Sequence, residues 1–81
     1  MSREYELLMI ILRNERIGHG ITQTQLAQSL GVSQQLISSA ENLTSALDID
    51  HVRRICEVLE IDLPSLMERW LASIKEILHK D

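Results

Sequence analysis

The stretch Thr22-Gln23-Thr24-Gln25-Leu26-Ala27-Gln28-Ser29-Leu30-Gly31-Val32-Ser33-Gln34-Gln35-Leu36-Ile37-Ser38-Ser39-Ala40-Glu41 reads as two short helices joined by a tight turn. Thr22 is an N-cap whose hydroxyl can accept from a free backbone N–H, and Gln25 three positions on completes a capping box. A helix therefore starts at Gln23. Leu26, Ala27 and Leu30 recur at helical spacing, and Gly31 follows them, where a left-handed residue ends a helix without a Cβ penalty. Val32 anchors the turn in the core and Ser33 is a second N-cap. Leu36, Ile37 and Ala40 then give the next helix an apolar stripe of its own, which leaves Gln34, Gln35, Ser38, Ser39 and Asn42 facing outward.

A helix that presents its N-terminal side chains outward in this way is what the major groove of B-DNA admits. Over roughly Leu8 to Met67 the chain resembles the Cro/repressor-type (Xre-like) helix-turn-helix family. The likeness rests on Leu12-Arg13 with Arg16 before Gly20, on Thr22-Gln23 and Leu26-Ala27, and on Gly31-Val32-Ser33-Gln34, Ile37-Ser38 and Glu41-Asn42. It continues in the spacing Val52, Ile55-Cys56, Leu59 and a closing Leu66. The resemblance implies an all-α, compact five-helix repressor-like domain, here with an extended C-terminal helix, that binds double-stranded DNA as a transcriptional regulator. Small dimeric regulators of this family include phage repressors, restriction-modification controller proteins and antitoxins that control their own promoters. In size and in an all-helical single-domain form with a dimerising last helix the chain most resembles the controllers.

What the family implies for individual residues follows the matching positions. Gln23 and Ser33 stand where phosphates are held, through side chains and helix N-terminal N–H groups. Gln34, Gln35 and Ser39 stand where base edges are read, with Ser38 nearer the core or backbone and Asn42 completing the DNA-binding set. A glutamine can bond bidentately to adenine N6 and N7. Arg16 and Glu41 stand where members of the family form a partly buried ion pair.

One departure is large. From Ile17 through Val52 there is no lysine or arginine. Family members often place a basic residue where Ser39 stands, a glycine where Leu43 stands, and basic residues in the Thr44 to Leu47 loop. The formal net charge is −4 and the pI about 5.3, opposite to the basic footprint of most nucleic-acid binders. Arg3, Arg13, His51, Arg53 and Arg54 lie outside the helix pair as candidates to touch the backbone. The gap also motivates an alternative, a protein-interaction module with weak or no DNA binding, such as an antirepressor or regulatory partner.

The 81 residues, 44% of them apolar, suffice for one small domain, 1–81, with an aliphatic core, since Tyr5 and Trp70 are the only aromatic residues. No stretch approaches the roughly 20 apolar residues that span a bilayer, and Leu7 to Leu12 is too short for a signal peptide, so a cytoplasmic protein is expected. Cys56, the one cysteine, sits at a helix position suited to a small buried residue. His19, His51 and His79 have no second ligand at metal-binding spacing, and no phosphate loop, Ser-His-Asp set or paired carboxylates can be made out. Neither a metal, a cofactor nor an enzymatic activity is expected.

The flanking elements are legible in outline. Helix one is expected from Ser2 to Arg16 with Tyr5, Leu8, Met9 and Leu12 inward, and Gly18 and Gly20 mark the loop after it. Helix four starts after Asp48 with Ile49, Val52, Ile55, Cys56 and Leu59 inward. Asp62 caps a fifth helix that tolerates Pro64 in its first turn. In residues 63–79 the stripe Leu63, Leu66, Met67, Trp70, Leu71, Ile74, Ile77 and Leu78 runs past what a monomeric domain needs. A twofold homodimer is expected, with Leu66, Trp70, Leu71, Ile74, Ile77 and Leu78 in the interface and Ile10 or Ile11 beside them. Folding of the stripe back onto helix one is the alternative.

Overall fold

The computed structural model describes residues 1–78, which form five α-helices: α1 (Arg3–Gly18), α2 (Gln23–Leu30), α3 (Gln34–Glu41), α4 (Ile49–Leu59) and α5 (Leu63–Ile77). Each begins at a side-chain cap. The oxygens of Ser2, Thr22, Ser33, Asp48 and Asp62 accept from the backbone N–H three residues on, at Tyr5, Gln25, Leu36, His51 and Ser65. Thr22 and Gln25 close the full reciprocal box. α1 outruns its expected limit by two residues, and Gly18 is its last residue instead of part of the loop.

Four helices end in the same way. After α1, α2, α3 and α4 a left-handed residue follows, Gly20, Gly31, Leu43 and Glu60 in turn, with φ between +55° and +70°. In each case the next N–H reaches back five residues to the helix: Ile21 to Arg16, Val32 to Ala27, Thr44 to Ser39 and Ile61 to Cys56. This is the Schellman closure, which satisfies carbonyls that the helix end would otherwise leave open. Ile21, Val32 and Ile61 then pack onto the core from outside the helices.

The core is aliphatic. Leu8, Met9 and Leu12 of α1, Leu26, Ala27 and Leu30 of α2, Ile37 and Ala40 of α3, Val52, Ile55, Cys56 and Leu59 of α4, and Leu66 of α5 are all buried together with Leu47. α2 packs on α3 and α4, while α1 packs on α3 and α5. Tyr5 fastens the long α3–α4 connection, because its hydroxyl accepts from the Leu47 N–H at 2.6 Å. Ile49, expected inward, is 67% exposed: it is the first residue of α4, ahead of the stripe Val52, Ile55, Cys56 and Leu59 that meets the core.

Leu66 also departs from expectation. It is fully buried inside the monomer, 0% exposed, and so belongs to the core and to no outer surface. Trp70 is half-buried against the same core, and its indole N–H donates to the Glu4 carbonyl at 2.6 Å. Arg69 pairs with Glu15 at 2.6 Å. The first half of the α5 stripe thus folds back onto α1, where hydrophobic contact and polar clasps hold it. Beyond Trp70 the helix offers Leu71 at 61% and Ile77 at 56% exposure, with Ile74 and Leu78 half-buried. His79, the expected end of the dimerisation helix, lies outside the described residues.

Candidate nucleic-acid interface

α2, the Gly31–Ser33 turn and α3 form one unit whose inner side is Leu26, Ala27, Leu30, Ile37 and Ala40. Burying that side forces the opposite side of α3 outward. Gln34 and Gln35 are exposed in its first turn, Ser38 and Ser39 are half-buried further along, and Asn42 is exposed at its C-terminal end. Ser33 caps the helix, so the N–H groups of its first turn stand at the tip with the positive end of the helix dipole.

The polar side chains are not all free. Gln35 Nε2 donates to Ser39 Oγ at 2.9 Å along the outer face of α3. The Ser39 carbonyl accepts from the Thr44 N–H at 2.9 Å and from the Thr44 hydroxyl at 3.1 Å, which fixes the exit from the helix. Gln23, at the start of α2, is turned inward and its Nε2 donates to Glu41 Oε1 at 3.0 Å.

Glu41 is where three helices meet. Arg16 at the end of α1 donates Nε to Glu41 Oε2 at 2.6 Å and Nη2 to Oε1 at 2.8 Å, a bidentate fork, while its Nη1 donates to the Ile21 carbonyl at 2.7 Å. Arg13 Nε stands 3.9 Å from Glu41 Oε1. The Arg16 and Glu41 side chains are only 10% and 9% exposed. Burial alone pushes the Glu41 carboxyl up, but the bonds from Arg16 and Gln23 and the charges of Arg16 and Arg13 outweigh it and hold the group below its ordinary value of 4.5. The charged fork ties the C-terminal end of α3 to α1, and Gln23 ties it to α2.

The remaining arginines are mostly engaged. Arg53 bonds Asp50 at 2.8 Å and also contacts Glu57, both on its own helix. Those bonds draw the Asp50 carboxyl below its ordinary range and raise the Arg53 guanidinium. Arg54 reaches the Leu30 carbonyl at the end of α2, where a cation complements the helix dipole. His51 Nδ1 lies 3.1 Å from Asp48 Oδ1 but out of line for a hydrogen bond. Burial, with the charge of Asp62, pushes the Cys56 thiol up, which suits an inert core residue. Among the described residues no group of three or more His, Cys, Asp or Glu could hold a metal ion, and no helix is long and apolar enough to cross a membrane.

Two of these interactions lay beyond sequence reasoning: the inward turn of Gln23 and the Arg54 contact to Leu30. Nothing local in the sequence marks Gln23 as a partner of a residue so far along the chain. For Arg54 a cue exists, the negative end of α2, which has no basic residue of its own in its last turn.

A five-helix core with a capped, outward-facing α3 braced by α1 and α2 defines a DNA-binding transcriptional regulator, and this chain belongs to the helix-turn-helix family, whose model matches residues 12–66. No curated protein matches it. Among solved structures it is similar to the restriction-modification controller protein C.Esp1396I. A tyrosine-to-alanine mutant of that protein superposes with a TM-score of 0.81 at 28% identity, covering 99% of this chain and 100% of the other. A tyrosine-to-phenylalanine mutant gives 0.81 at 27%, covering 100% and 99%. The wild-type controller gives 0.84 at 22%, covering 94% and 99%, a likeness of fold.

Proposed function

We propose that this chain is a sequence-specific regulator that acts in the cytoplasm as a homodimer on a palindromic operator. The observation that carries the reading is the outer face of α3, where exposed Gln34 and Gln35 lead a helix whose far end Arg16, Gln23 and Glu41 hold. Such a helix enters the major groove as a preset body, and glutamine is a natural reader of adenine. Ser33 and the first-turn N–H groups of α2 and α3 would hold phosphates, with Ser38 and Asn42 at the edge of the contact. The likeness to a restriction-modification controller protein over the whole length supports the regulatory role.

A second copy is the natural cover for the distal α5 face, Leu71, Ile74, Ile77 and Leu78, with Trp70 at its inner edge. Twofold pairing would set two α3 helices about 34 Å apart, the spacing that a palindromic site presents. In sedimentation at micromolar concentration the wild-type chain should run as a dimer. Replacing both Leu71 and Ile77 by glutamate should give a folded monomer, since both side chains are exposed in the protomer.

The direct test of function is selection of bound duplexes from a random library at about 50 mM salt. A palindromic consensus, weakened when Gln34 and Gln35 are changed to alanine, is the expected result. No enrichment would overturn the DNA-binding reading in favour of a protein-interaction module. The absence of Lys and Arg between Ile17 and Val52 is the specific observation on that side. Because neutral donors replace cations at the interface, the slope of log affinity against log salt should be shallow.

A further inference from the structure

We propose that Ser39 is a positioning residue for Gln35: its hydroxyl holds the glutamine amide with a single edge free, and that edge selects adenine at the base pair it faces. The inference rests on the DNA-binding function proposed above. Gln35 and Ser39 lie one helical turn apart on the outer side of α3, and Gln35 Nε2 donates to Ser39 Oγ at 2.9 Å. Gln34, its neighbour, makes no such side-chain bond among the described residues.

A primary amide has two N–H donors and one carbonyl acceptor. With one N–H committed to Ser39, Gln35 retains one N–H and Oε1. That pair complements adenine, which offers N7 as acceptor and the N6 amino group as donor, whereas guanine offers only the acceptors N7 and O6. A glutamine that has lost one donor to its own helix cannot turn two N–H groups toward guanine. Ser39 therefore narrows the choice without touching a base. It also removes rotamer freedom from an exposed side chain before binding, which lowers the ordering cost on DNA.

The test uses the full chain and the operator found by selection. The position read by Gln35 is the one whose preference disappears in Gln35→Ala, and it should be adenine. Ser39→Ala should lower the preference for adenine over the other bases there by roughly three- to tenfold. Preference at the position read by Gln34 should stay unchanged, as should the thermal midpoint. Ser39→Thr, which keeps the hydroxyl, should retain the preference. The double variant Ser39→Ala/Gln35→Ala should bind no worse than Gln35→Ala alone. Undiminished preference in Ser39→Ala, a base other than adenine at the Gln35 position, or losses that multiply in the double variant would each overturn the inference while leaving the regulator intact. A wild-type chain that enriches no duplex would overturn both.

Discussion

Removing the Glu41 side chain is the sharpest test of how the three-helix junction is held. In Glu41→Ala the Arg16 guanidinium keeps only the Ile21 carbonyl, at 2.7 Å, and loses both arms of its fork. Gln23 loses its partner as well. With side chains 10% and 9% exposed, water reaches this pair poorly. Stranding one charge of such a pair costs about 3–5 kcal/mol, and the lower half of that range applies here because the site retains some solvent contact and Arg16 retains one acceptor. A chain of 81 residues has a total stability of roughly 4–12 kcal/mol. A loss of about 3 kcal/mol lowers the thermal midpoint by roughly 12–24 °C for a domain of this size. Thermal and urea unfolding followed by far-UV circular dichroism would measure it. Because a buried pair is little screened, the difference from wild type should persist in about 1 M salt. Replacing both Arg16 and Glu41 by leucine should recover most of the loss, since no charge is then stranded. A loss below about 1 kcal/mol, or one that closes at high salt, would place the pair among solvated surface bridges and refute the reasoning.

Acid should act through the same residue. Glu41 is held below its ordinary value of 4.5 when folded, so its contribution is fully present above that value and is lost as pH falls through the depressed one. The urea midpoint should fall on acidification below about pH 5, and Glu41→Gln should flatten that part of the profile. At the end of α4, Glu60 is exposed and sits at φ +55°. Glu60→Gly removes the Cβ penalty without costing any packing, and should raise stability by about 0.5–1 kcal/mol after the larger unfolded-state entropy of glycine is subtracted. Differential scanning calorimetry should show a higher midpoint, and a lower one would mean that the left-handed residue is not strained.

The parts of the fold that followed from the sequence are those governed by local chemistry. Thr22, Ser33, Asp48 and Asp62 mark helix starts because a cap is a contact between near neighbours, and Gly31 marks an end because a glycine has no Cβ to strain the left-handed turn. Leu43 and Glu60 close their helices in the same left-handed geometry without being glycine, so nothing in their side chains shows it. At Leu43 the half-buried side chain, packed on the core, offsets the backbone strain. The apolar stripe of α5 marked a face in need of cover but not which part of it α1 would take. Trp70 and Leu66 were claimed by the monomer because α1 lies against them, a tertiary fact that periodicity does not contain. In the interface, burial of Leu36, Ile37 and Ala40 made the outward set on α3 legible. The inward turn of Gln23 depends on where Glu41 comes to lie, and spacing along the chain does not specify that.

The pairing of Arg16, Arg53 and Arg69 with carboxylates has a kinetic consequence. With a net charge of −4 and those cations already matched, the protein approaches a polyanion as another anion. A basic regulator is drawn in from afar and lingers on any sequence, sliding toward its operator. This chain would meet long-range repulsion, which reaches about 10 Å at 0.1 M salt. It would find its site by repeated free collisions, with little residence on the DNA between, and added salt would speed its encounter where it slows that of a basic competitor.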